Sequence, residues 1–306
     1  MKNKKPTVTV GIPVYNEEAN IGKLLESILA QKEEGFVLEK IIIVCDASTD
    51  KTYKIVESFR DPRKLHLRNL KRQGQQFSQN IILQNSVSDI TVILEGDVLP
   101  ASRYTLATLI KPLLHKNSKV GMTTGRSTAV TAKGFYEKIL NVGHEFRSQL
   151  FAEWKGGVNV YTACGHSMKA ISRQFAKVLI WPKHVPEDTF TYFMLRQEGF
   201  DMVSVPSAVA YMRNPTNFKD RLKQVNKFQN GKKALESYFT SEIVKREYRL
   251  PLGFAISYTA KSFIKNPFWL ALYIVEVAVN RIFTYGRMEF NALYNPYNST
   301  KALNTK

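Results

Sequence analysis

The chain has 306 residues, of which 44% are hydrophobic and 23% charged, a balance that excludes a disordered or fibrous protein and suits one large or two ordinary globular domains. Its 44 Lys and Arg residues outnumber its 26 Asp and Glu residues, and the formal net charge of +18 favours an anionic partner such as a nucleotide diphosphate, a polyanion or an anionic membrane. Its two cysteines, Cys45 and Cys164, exclude a disulfide framework and a four-cysteine zinc site, and we expect a reducing compartment. No apolar signal-peptide core lies near the first residue, so we expect no secretion.

The first 124 residues alternate predicted strands with predicted helices. Apolar and β-branched runs predict strands over residues 7–12, 39–45, 64–69, 89–95 and 119–124. Apolar residues at helical spacing predict helices over residues 17–31, 50–59, 74–86 and 103–115. This alternation predicts a doubly wound α/β sheet with right-handed connections.

The second half of the chain is less regular. Helices are predicted over residues 135–151, 187–198 and 216–239, and short strands over 158–163, 201–205 and 208–212. We expect residues 1–124 and 125–240 to be two halves of one domain, and residues 241–306 to form a basic helical extension.

Carboxylates follow three of the predicted strands. The first strand runs into Pro13-Val-Tyr-Asn-Glu17, the second ends at Asp46, and the fourth ends at Glu95-Gly-Asp97. Ligands of doubly wound sheets bind at the carboxyl ends of the strands, so these residues predict one site. Glu95 and Asp97 point the same way and suit Mg²⁺ or Mn²⁺. The alternatives are a polar turn after Glu95 and, beyond Asp46, a helix cap formed around Asp50.

Six segments, in order along the chain, carry a family resemblance. Val10–Glu17 is similar to a PxYNE segment, and Ile43–Asp50 to a VDDGSTD segment in which Cys45 and Ala47 depart from the pattern. Residues 72–80 are similar to an RxGK…ALN stretch. Glu95–Asp97 stands at a DxD position, residues 186–188 at an ED position, and residues 224–228 at a QxxRW position. The ordered set resembles the family 2 glycosyltransferases, which have the GT-A fold.

The resemblance implies a nucleotide-sugar donor, with UDP the expected nucleotide, a divalent Mg²⁺ or Mn²⁺ ion, and inversion at the anomeric carbon. It also implies a saccharide or lipid-linked acceptor. The residues that it places at the donor, either in the nucleoside pocket or at the metal, are Pro13, Tyr15, Glu17, Asp46, Gln75, Glu95 and Asp97. Among them Asp97 is the main metal ligand, and Glu95 lies near the ribose or supports the metal.

The resemblance makes Asp188 the base that deprotonates the acceptor hydroxyl, with Glu187 supporting it. Chemistry agrees, because inversion places the base opposite the leaving group and therefore on another segment than the metal ligand. The alternative is that both acids are first-turn charges of a helix. Since the two are adjacent, we expect their side chains to diverge, with only one facing the sugar.

Three further residues, Gln224, Lys227 and Phe228, are implied to contact the acceptor or the diphosphate. They could equally be one stripe of a basic helix. Lys and Phe replace the Arg and Trp of the motif, which speaks against processive synthesis. Two rival functions remain: an inactive nucleotide-sugar-binding relative, and a nucleic-acid binder suggested by the net charge alone. No nucleic-acid recognition motif is present, so we expect no such partner.

The C-terminal part is basic and contains an apolar helix. Residues 213–306 hold 16 Lys and Arg residues against 6 Asp and Glu residues. Residues 267–283 are short for a spanning helix and are interrupted by Glu276, Asn280 and Arg281, which makes that interpretation a poor one. At helical spacing, Tyr273, Glu276, Asn280 and Thr284 share one stripe, and the other positions are mostly apolar. They predict an interfacial helix at the inner face of the cell membrane, a helix packed on the catalytic domain, or a dimer contact. Residues 252–264 are a second, weaker candidate.

Overall fold

The structure, a computed structural model, describes residues 5–115, 118–164, 167–284 and 298–303, with the backbone alone for residues 226–231. One sheet of eight strands runs through most of the chain. The strands are β1 Thr7–Val14, β2 Val37–Asp46, β3 Lys64–Asn69, β4 Ile90–Leu94, β5 Leu99–Pro100, β6 Val120–Ala129, β7 Met168–Ser172 and β8 Asp201–Met212.

The strand order is β3-β2-β1-β4-β7-β6-β8-β5. The four strands β3, β2, β1 and β4 are mutually parallel, which confirms the predicted α/β class for the first half. β7 runs antiparallel to both β4 and β6, so the complete sheet is mixed. Because β4 pairs directly with β7, the sheet continues without a break from the first half of the chain into the second.

Helices cover the sheet and form the C-terminal extension. They are α1 Ile21–Leu29, α2 Thr52–Ser58, α3 Gln75–Asn85, α4 Thr105–Ile110, α5 Phe135–Glu153, α6 Val160–Cys164, α7 Arg173–Ala176, α8 Glu187–Gln197, α9 Phe218–Leu235, α10 Ser241–Glu247, α11 Leu252–Lys265 and α12 Pro267–Thr284. The apolar face of α1, at Ile21, Leu24, Leu25 and Ile28, is buried against the sheet as its spacing predicts. α1 begins four residues later than predicted.

The prediction of a strand over residues 158–163 is wrong, because this segment contains helix α6. The Asn159 carboxamide oxygen accepts hydrogen bonds from the backbone N–H groups of Tyr161 and Thr162. Its amide nitrogen donates to the carbonyl groups of Phe151 and Trp154. Asn159 therefore caps a helical turn in a stretch whose β-branched and aromatic side chains favour a strand.

Two further differences concern strands. β7, which joins the two halves of the sheet, was not predicted. The two short strands predicted on either side of Pro206 form one strand, β8, and its pairing with β6 shifts register between Ser204 and Val209. Pro206 lies within that irregularity, where a missing backbone N–H costs no ladder hydrogen bond.

Candidate active site

The carboxyl ends of β1, β2 and β4 form one wall of an open cleft. Its lining residues are Pro13, Val14, Tyr15, Glu17, Asp46, Arg72, Gly74, Gln75, Ser78, Glu95, Gly96, Asp97, Thr300 and Lys301. The structure thus brings together all seven residues predicted at the donor, although they are spread over more than 80 positions of sequence. The parallel order of the strands is the cause, because it places their carboxyl ends at one edge.

Asp46 lies at the floor of this cleft and is almost fully buried. Its carboxylate accepts three hydrogen bonds, from the Asn69 carboxamide at 2.8 Å, the Gln73 backbone N–H at 2.9 Å and the Gly74 backbone N–H at 2.7 Å. Asp46 therefore holds the loop between β3 and α3 against the cleft.

The residue after Asp46 is strained. Ala47 has a φ of 57°, in the left-handed region that disfavours residues with a Cβ atom. It stands at one of the two positions where the chain departs from the VDDGSTD pattern, which has glycine there. The departure therefore keeps the loop conformation at a cost in backbone energy.

We expect Ala47→Gly to raise the free energy of unfolding by about 0.5–1 kcal/mol, since glycine removes the left-handed penalty but loses more chain entropy on folding. Urea denaturation measures this change. The matched control is Ala30→Gly, because Ala30 has a φ of −77° and should be destabilised instead. A loss of stability in Ala47→Gly comparable to that of the control would contradict the interpretation.

The turn after β1 is tied to the turn after β2. The Asn16 carboxamide oxygen accepts a hydrogen bond from the Thr49 backbone N–H, and the Asn16 backbone N–H donates to Ser48 Oγ. Asp50 accepts a hydrogen bond from the backbone N–H of Thr52, the first residue of α2, and the N-cap position itself is occupied by Lys51. The two turns therefore form one rigid edge of the cleft.

A cation lies against the aromatic ring of the first turn. The Arg72 guanidinium carbon is 3.8 Å from the centre of the Tyr15 ring, a cation–π contact. Both residues line the cleft. Arg72 therefore brings positive charge to the place where an anionic ligand of this cleft would lie.

Glycine is required at the turn after β4. A Cβ atom on Gly96 would lie 2.8 Å from Glu17 Cγ and 3.0 Å from Val14 Cγ1. The turn that carries Glu95 and Asp97 can approach the end of β1 this closely only because residue 96 has no side chain. Glu95 also accepts a hydrogen bond of 3.1 Å from the Gln75 carboxamide.

Glu17 is buried between this turn and the C-terminal segment. Burial, with the neighbouring charge of Asp97 as a second cause, raises the pKa of Glu17 from 4.5 to about 8, although Lys301 opposes the shift. Lys301 Nζ pairs with the Glu17 carboxylate and also donates to the Asn16 carbonyl. The Leu303 backbone N–H donates to the Asn20 side chain at 2.8 Å, which fixes this segment beside the cleft.

The raised pKa of Glu17 predicts a pH dependence of stability. The folded state keeps the proton up to about pH 8, whereas the unfolded chain loses it near pH 4.5. The free energy of unfolding should therefore fall as the pH rises between these values, by on the order of 3 kcal/mol. Glu17→Gln should remove this fall.

Urea denaturation at several pH values in this range tests the prediction. Glu26→Gln, at an exposed position of α1, is the matched control and should keep the wild-type dependence. Equal pH dependence in Glu17→Gln and the wild-type protein would contradict the assignment.

A second, smaller cavity adjoins the cleft. Its lining residues are Gln79, Ile93, Glu95, Ser167, Met168, Lys169 and Asp188. Glu95 is shared by both cavities. The predicted base Asp188 is therefore one side chain away from the predicted donor site.

The second cavity holds a cluster of acids around one lysine. Carboxylate oxygens of Glu95, Glu187 and Asp188 lie within 4.8 Å of one another, so the predicted divergence of Glu187 and Asp188 is smaller than expected. Of the two neighbouring acids of α8, Asp188 lines the cavity, whereas Glu187 is buried and is not among its lining residues. Lys169 Nζ lies 2.6 Å from Asp188 Oδ1. Burial alone would lower the pKa of Lys169, but Asp188 and Glu187 raise it, so Lys169 is charged.

The three predicted acceptor residues lie on α9. Gln224 accepts a hydrogen bond of 2.8 Å from Arg221, and Arg221 in turn pairs with Glu276 of α12. Gln224 is thus held on the side of α9 that meets the C-terminal helices. Lys227 and Phe228 fall outside the residues whose side chains the structure describes.

Three cations at the site were not predicted: Arg72, Lys169 and Lys301. Arg72 had a signal, because it begins the RxGK-like stretch. Lys169 is separated from Asp188 by 19 residues, and Lys301 from Glu17 by 284, so only the tertiary structure brings these charges together.

The profile of "Glycosyl transferase family 2" matches residues 9–203 of the chain, which is more than half of its length. The chain belongs to glycosyl transferase family 2. The predicted family and GT-A fold class are therefore confirmed, and the matched range includes the cleft residues on β1, β2 and β4 together with Asp188.

Solved structures of other proteins have a fold similar to that of this family 2 member. The mannosyltransferase PcManGT from Pyrobaculum calidifontis, in complex with GDP-Man and Mn²⁺, covers 92% of this chain and 76% of its own, with a TM-score of 0.56 and 20% identity. Glucosyl-3-phosphoglycerate synthase from Mycobacterium tuberculosis, in complex with Mn²⁺, UDP and phosphoglyceric acid, covers 76% of this chain and 78% of its own, with a TM-score of 0.51 and 18% identity. At these identities the likeness concerns the fold.

Among curated relatives, the undecaprenyl-phosphate 4-deoxy-4-formamido-L-arabinose transferase of Pectobacterium carotovorum is 33% identical over 94 residues. That match covers 30% of the family 2 chain and 29% of the relative. Matches of this chain span about a third of the length of the curated relatives that it resembles. They relate one segment of each protein, and not the whole proteins.

Proposed function

We propose that this family 2 member transfers a sugar from a nucleoside-diphosphate donor, held in the cleft, to an acceptor hydroxyl presented beside Asp188, with inversion at the anomeric carbon. The observation that carries the proposal is that Glu95 lines both the cleft and the adjoining cavity that holds Asp188. A donor whose nucleoside lies near Asp46 can extend past Glu95 toward Asp188, and the base then stands on another segment than the residues that hold the diphosphate.

The carboxylate oxygens in the cleft suit a divalent cation. Glu95 and Asp97 offer carboxylate oxygens, the ligands that Mg²⁺ and Mn²⁺ prefer. The Lys169 ammonium group already compensates the acids around Asp188, so we assign the cation to the Asp97 side. When bound, such a cation stabilises negative charge on a leaving diphosphate. Both solved relatives of similar fold are complexes with Mn²⁺, which supports this assignment.

The chain's own side chains have distinct tasks in the proposed reaction. Arg72 and Lys301 add positive charge along the cleft, where the diphosphate would gain charge as the sugar leaves. Asp188 would accept the proton of the acceptor hydroxyl, which is a poor nucleophile without a base. Lys169 orients the Asp188 carboxylate through its contact of 2.6 Å.

The acceptor that we propose is a saccharide or lipid-linked hydroxyl, and UDP is the nucleotide that we would test first. The solved relatives carry GDP-Man in one case and UDP in another, so the donor panel must include both bases. The name of the curated relative from Pectobacterium carotovorum contains undecaprenyl phosphate, a lipid phosphate, which supports a lipid-linked class. Both cysteines are free, which suits the cytoplasmic side that we propose for the reaction.

Calorimetric titration with UDP and with GDP, each with and without Mn²⁺, tests the donor half of the proposal. We expect one of the two nucleotides to bind, and Asp46→Ala to weaken binding even without metal, because Asp46 and the loop that it holds form the cleft floor. Binding of neither nucleotide would contradict the proposal. Nucleotide binding without turnover of any sugar donor would favour the inactive relative instead.

A further inference from the structure

Helix α12 packs with its polar side toward the protein. Its buried residues are Leu270, Tyr273, Glu276, Asn280 and Thr284, which include the whole polar stripe of the helix. Glu276 accepts hydrogen bonds of 3.1 Å from Arg221 of α9 and 3.1 Å from the Tyr136 hydroxyl of α5. Glu276 therefore ties α12 to α5 and α9, whereas Asn280 and Thr284 make their hydrogen bonds within α12.

Helix α12 packs closely against α5. A Cβ atom on Gly143 of α5 would lie 2.0 Å from the Tyr273 ring, so the ring rests directly on the α5 backbone. Gly143 is thus the residue that lets the two helices meet. The packed-subdomain interpretation of the polar stripe is correct for this side of the helix.

The other side of α12, together with α11, is an exposed apolar face. We call it the α11–α12 face and define it by its exposed large apolar residues, Leu252, Ile256, Phe263, Ile264, Phe268, Ile274, Val275, Ile282 and Phe283. Ile264 is 82% and Ile282 75% exposed, close to the values of unfolded chain. So many large apolar side chains on two adjoining helices exceed the scattered exposure that is normal for a soluble surface.

The exposed charged residues of α11 and α12 are all positively charged. Lys261, Lys265 and Arg281 are exposed, and the one acidic residue of α11 and α12, Glu276, is buried. None of these three cations forms a salt bridge among the described residues of the chain. An apolar face with cations and without exposed acids is complementary to an anionic lipid surface.

We propose that the α11–α12 face lies in the surface of an anionic bilayer, with its apolar side chains at the boundary between the headgroups and the acyl chains and its cations toward the lipid phosphates. The proposal goes beyond the transfer reaction and does not depend on it. Helix α12 has the length and the mean hydropathy, 1.2 over 18 residues, of a helix that could cross a membrane. Its Glu276 is bound to α5 and α9, however, so crossing would break these contacts and strip its charge of partners.

A second copy of the chain is the other occupant that an apolar face could have. A symmetric dimer through the α11–α12 face would bring Lys261, Lys265 and Arg281 of both copies together without an exposed acid on these helices to compensate them. Like charges at an interface oppose association. The charge pattern therefore favours lipid.

The location of the face relative to α9 has a consequence. Arg221 joins Glu276 of α12 to Gln224 of α9, so a bilayer at the α11–α12 face lies one helix away from the predicted acceptor residues. A lipid-linked acceptor could then reach the site while its lipid remains in the membrane.

Cosedimentation with vesicles tests the proposal on the full chain. The vesicles are pure phosphatidylcholine or an equimolar mixture of phosphatidylcholine and phosphatidylglycerol. We expect binding to the mixed vesicles at low salt, partial release by salt, and little binding to the neutral ones. Ile264→Glu and Ile282→Glu should each weaken partitioning by about tenfold or more. The double variant Lys261→Gln, Lys265→Gln should weaken it by about fivefold for each charge removed.

Matched controls separate the face from general effects of charge. Ile180→Glu places the same substitution at an isoleucine that is 69% exposed elsewhere, and Lys54→Gln with Lys177→Gln removes two exposed lysines elsewhere. All controls should bind like the wild-type protein. Failure of the wild-type protein to bind mixed vesicles, or equal losses in the controls, would overturn the proposal. So would a dimer in sedimentation equilibrium that Ile264→Glu dissociates, or resistance of the bound protein to alkaline carbonate extraction, which indicates a spanning helix.

Discussion

Asp188→Asn is expected to lower kcat for sugar transfer by about 10²–10⁴-fold, the usual contribution of a positioned general base. Asparagine has nearly the same shape and can still accept a hydrogen bond from Lys169, but it cannot take a proton at neutral pH. Donor binding should be nearly unchanged, because the residues of the cleft hold the donor. The loss should therefore appear in kcat and not in the donor KM.

Steady-state kinetics with calorimetry of the donor separates the two effects. Glu198→Gln, at the exposed end of α8, is the control for loss of a carboxylate from the same helix and should keep wild-type rates. Near-normal transfer by Asp188→Asn would rule out Asp188 as the base. Because the carboxylate oxygens of Glu187 and Asp188 lie within 4.8 Å, Glu187→Gln would be the next variant to measure.

Asp97→Ala is expected to abolish the part of nucleotide binding that depends on Mn²⁺. Asp97 lines the cleft with Glu95 on the turn that Gly96 makes possible, and we assign the cation to this turn. Changes to residues around a metal ligand already cost about 10–100-fold in affinity, so loss of a ligand should cost at least as much. Metal-independent binding of the nucleoside should remain, since Asp46 and Tyr15 lie on other strand ends.

Titration of the nucleotide with and without Mn²⁺ measures this difference, and the melting temperature reports whether the fold survives. Asp201→Asn, at an exposed position at the start of β8, is a control that should leave both titrations unchanged. If Mn²⁺ raises the affinity of Asp97→Ala for the nucleotide as much as it raises that of the wild-type protein, the cation is held by other residues and the assignment is wrong.

The strand ends explain how much of the site the sequence could predict. Asp46 and Glu95 each follow a buried apolar run, and parallel strands bring such positions to one edge whatever the loops do. Local patterns therefore predicted residues that line one common cleft, and the binding of a donor there stays a prediction. The same patterns predicted α1, α3 and α8 to within a few residues, and in α1 the apolar spacing is set by the sheet that the helix covers.

The remainder depends on contacts between distant residues. Met168–Ser172 has no strong strand pattern, and it forms β7 because β4 and β6 offer it partners on both sides. Helix α6 depends on Asn159, whose side chain bonds both its own turn and the preceding segment. Lys301 reaches Glu17 because the tertiary structure places residues 298–303 beside the cleft. Periodicity within a window cannot report such contacts.

The most direct test of the proposed function is a panel of UDP- and GDP-sugars, incubated with the full chain and Mg²⁺ or Mn²⁺, in which release of the nucleoside diphosphate is measured for each donor. Family 2 membership and the cleft beside Asp188 predict metal-dependent release from at least one donor, even by slow hydrolysis without an acceptor, and its loss in Asp97→Ala. Nucleotide binding without release from any donor, with either metal and with saccharide acceptors present, would contradict the account and leave a nucleotide-sugar-binding protein without transferase activity.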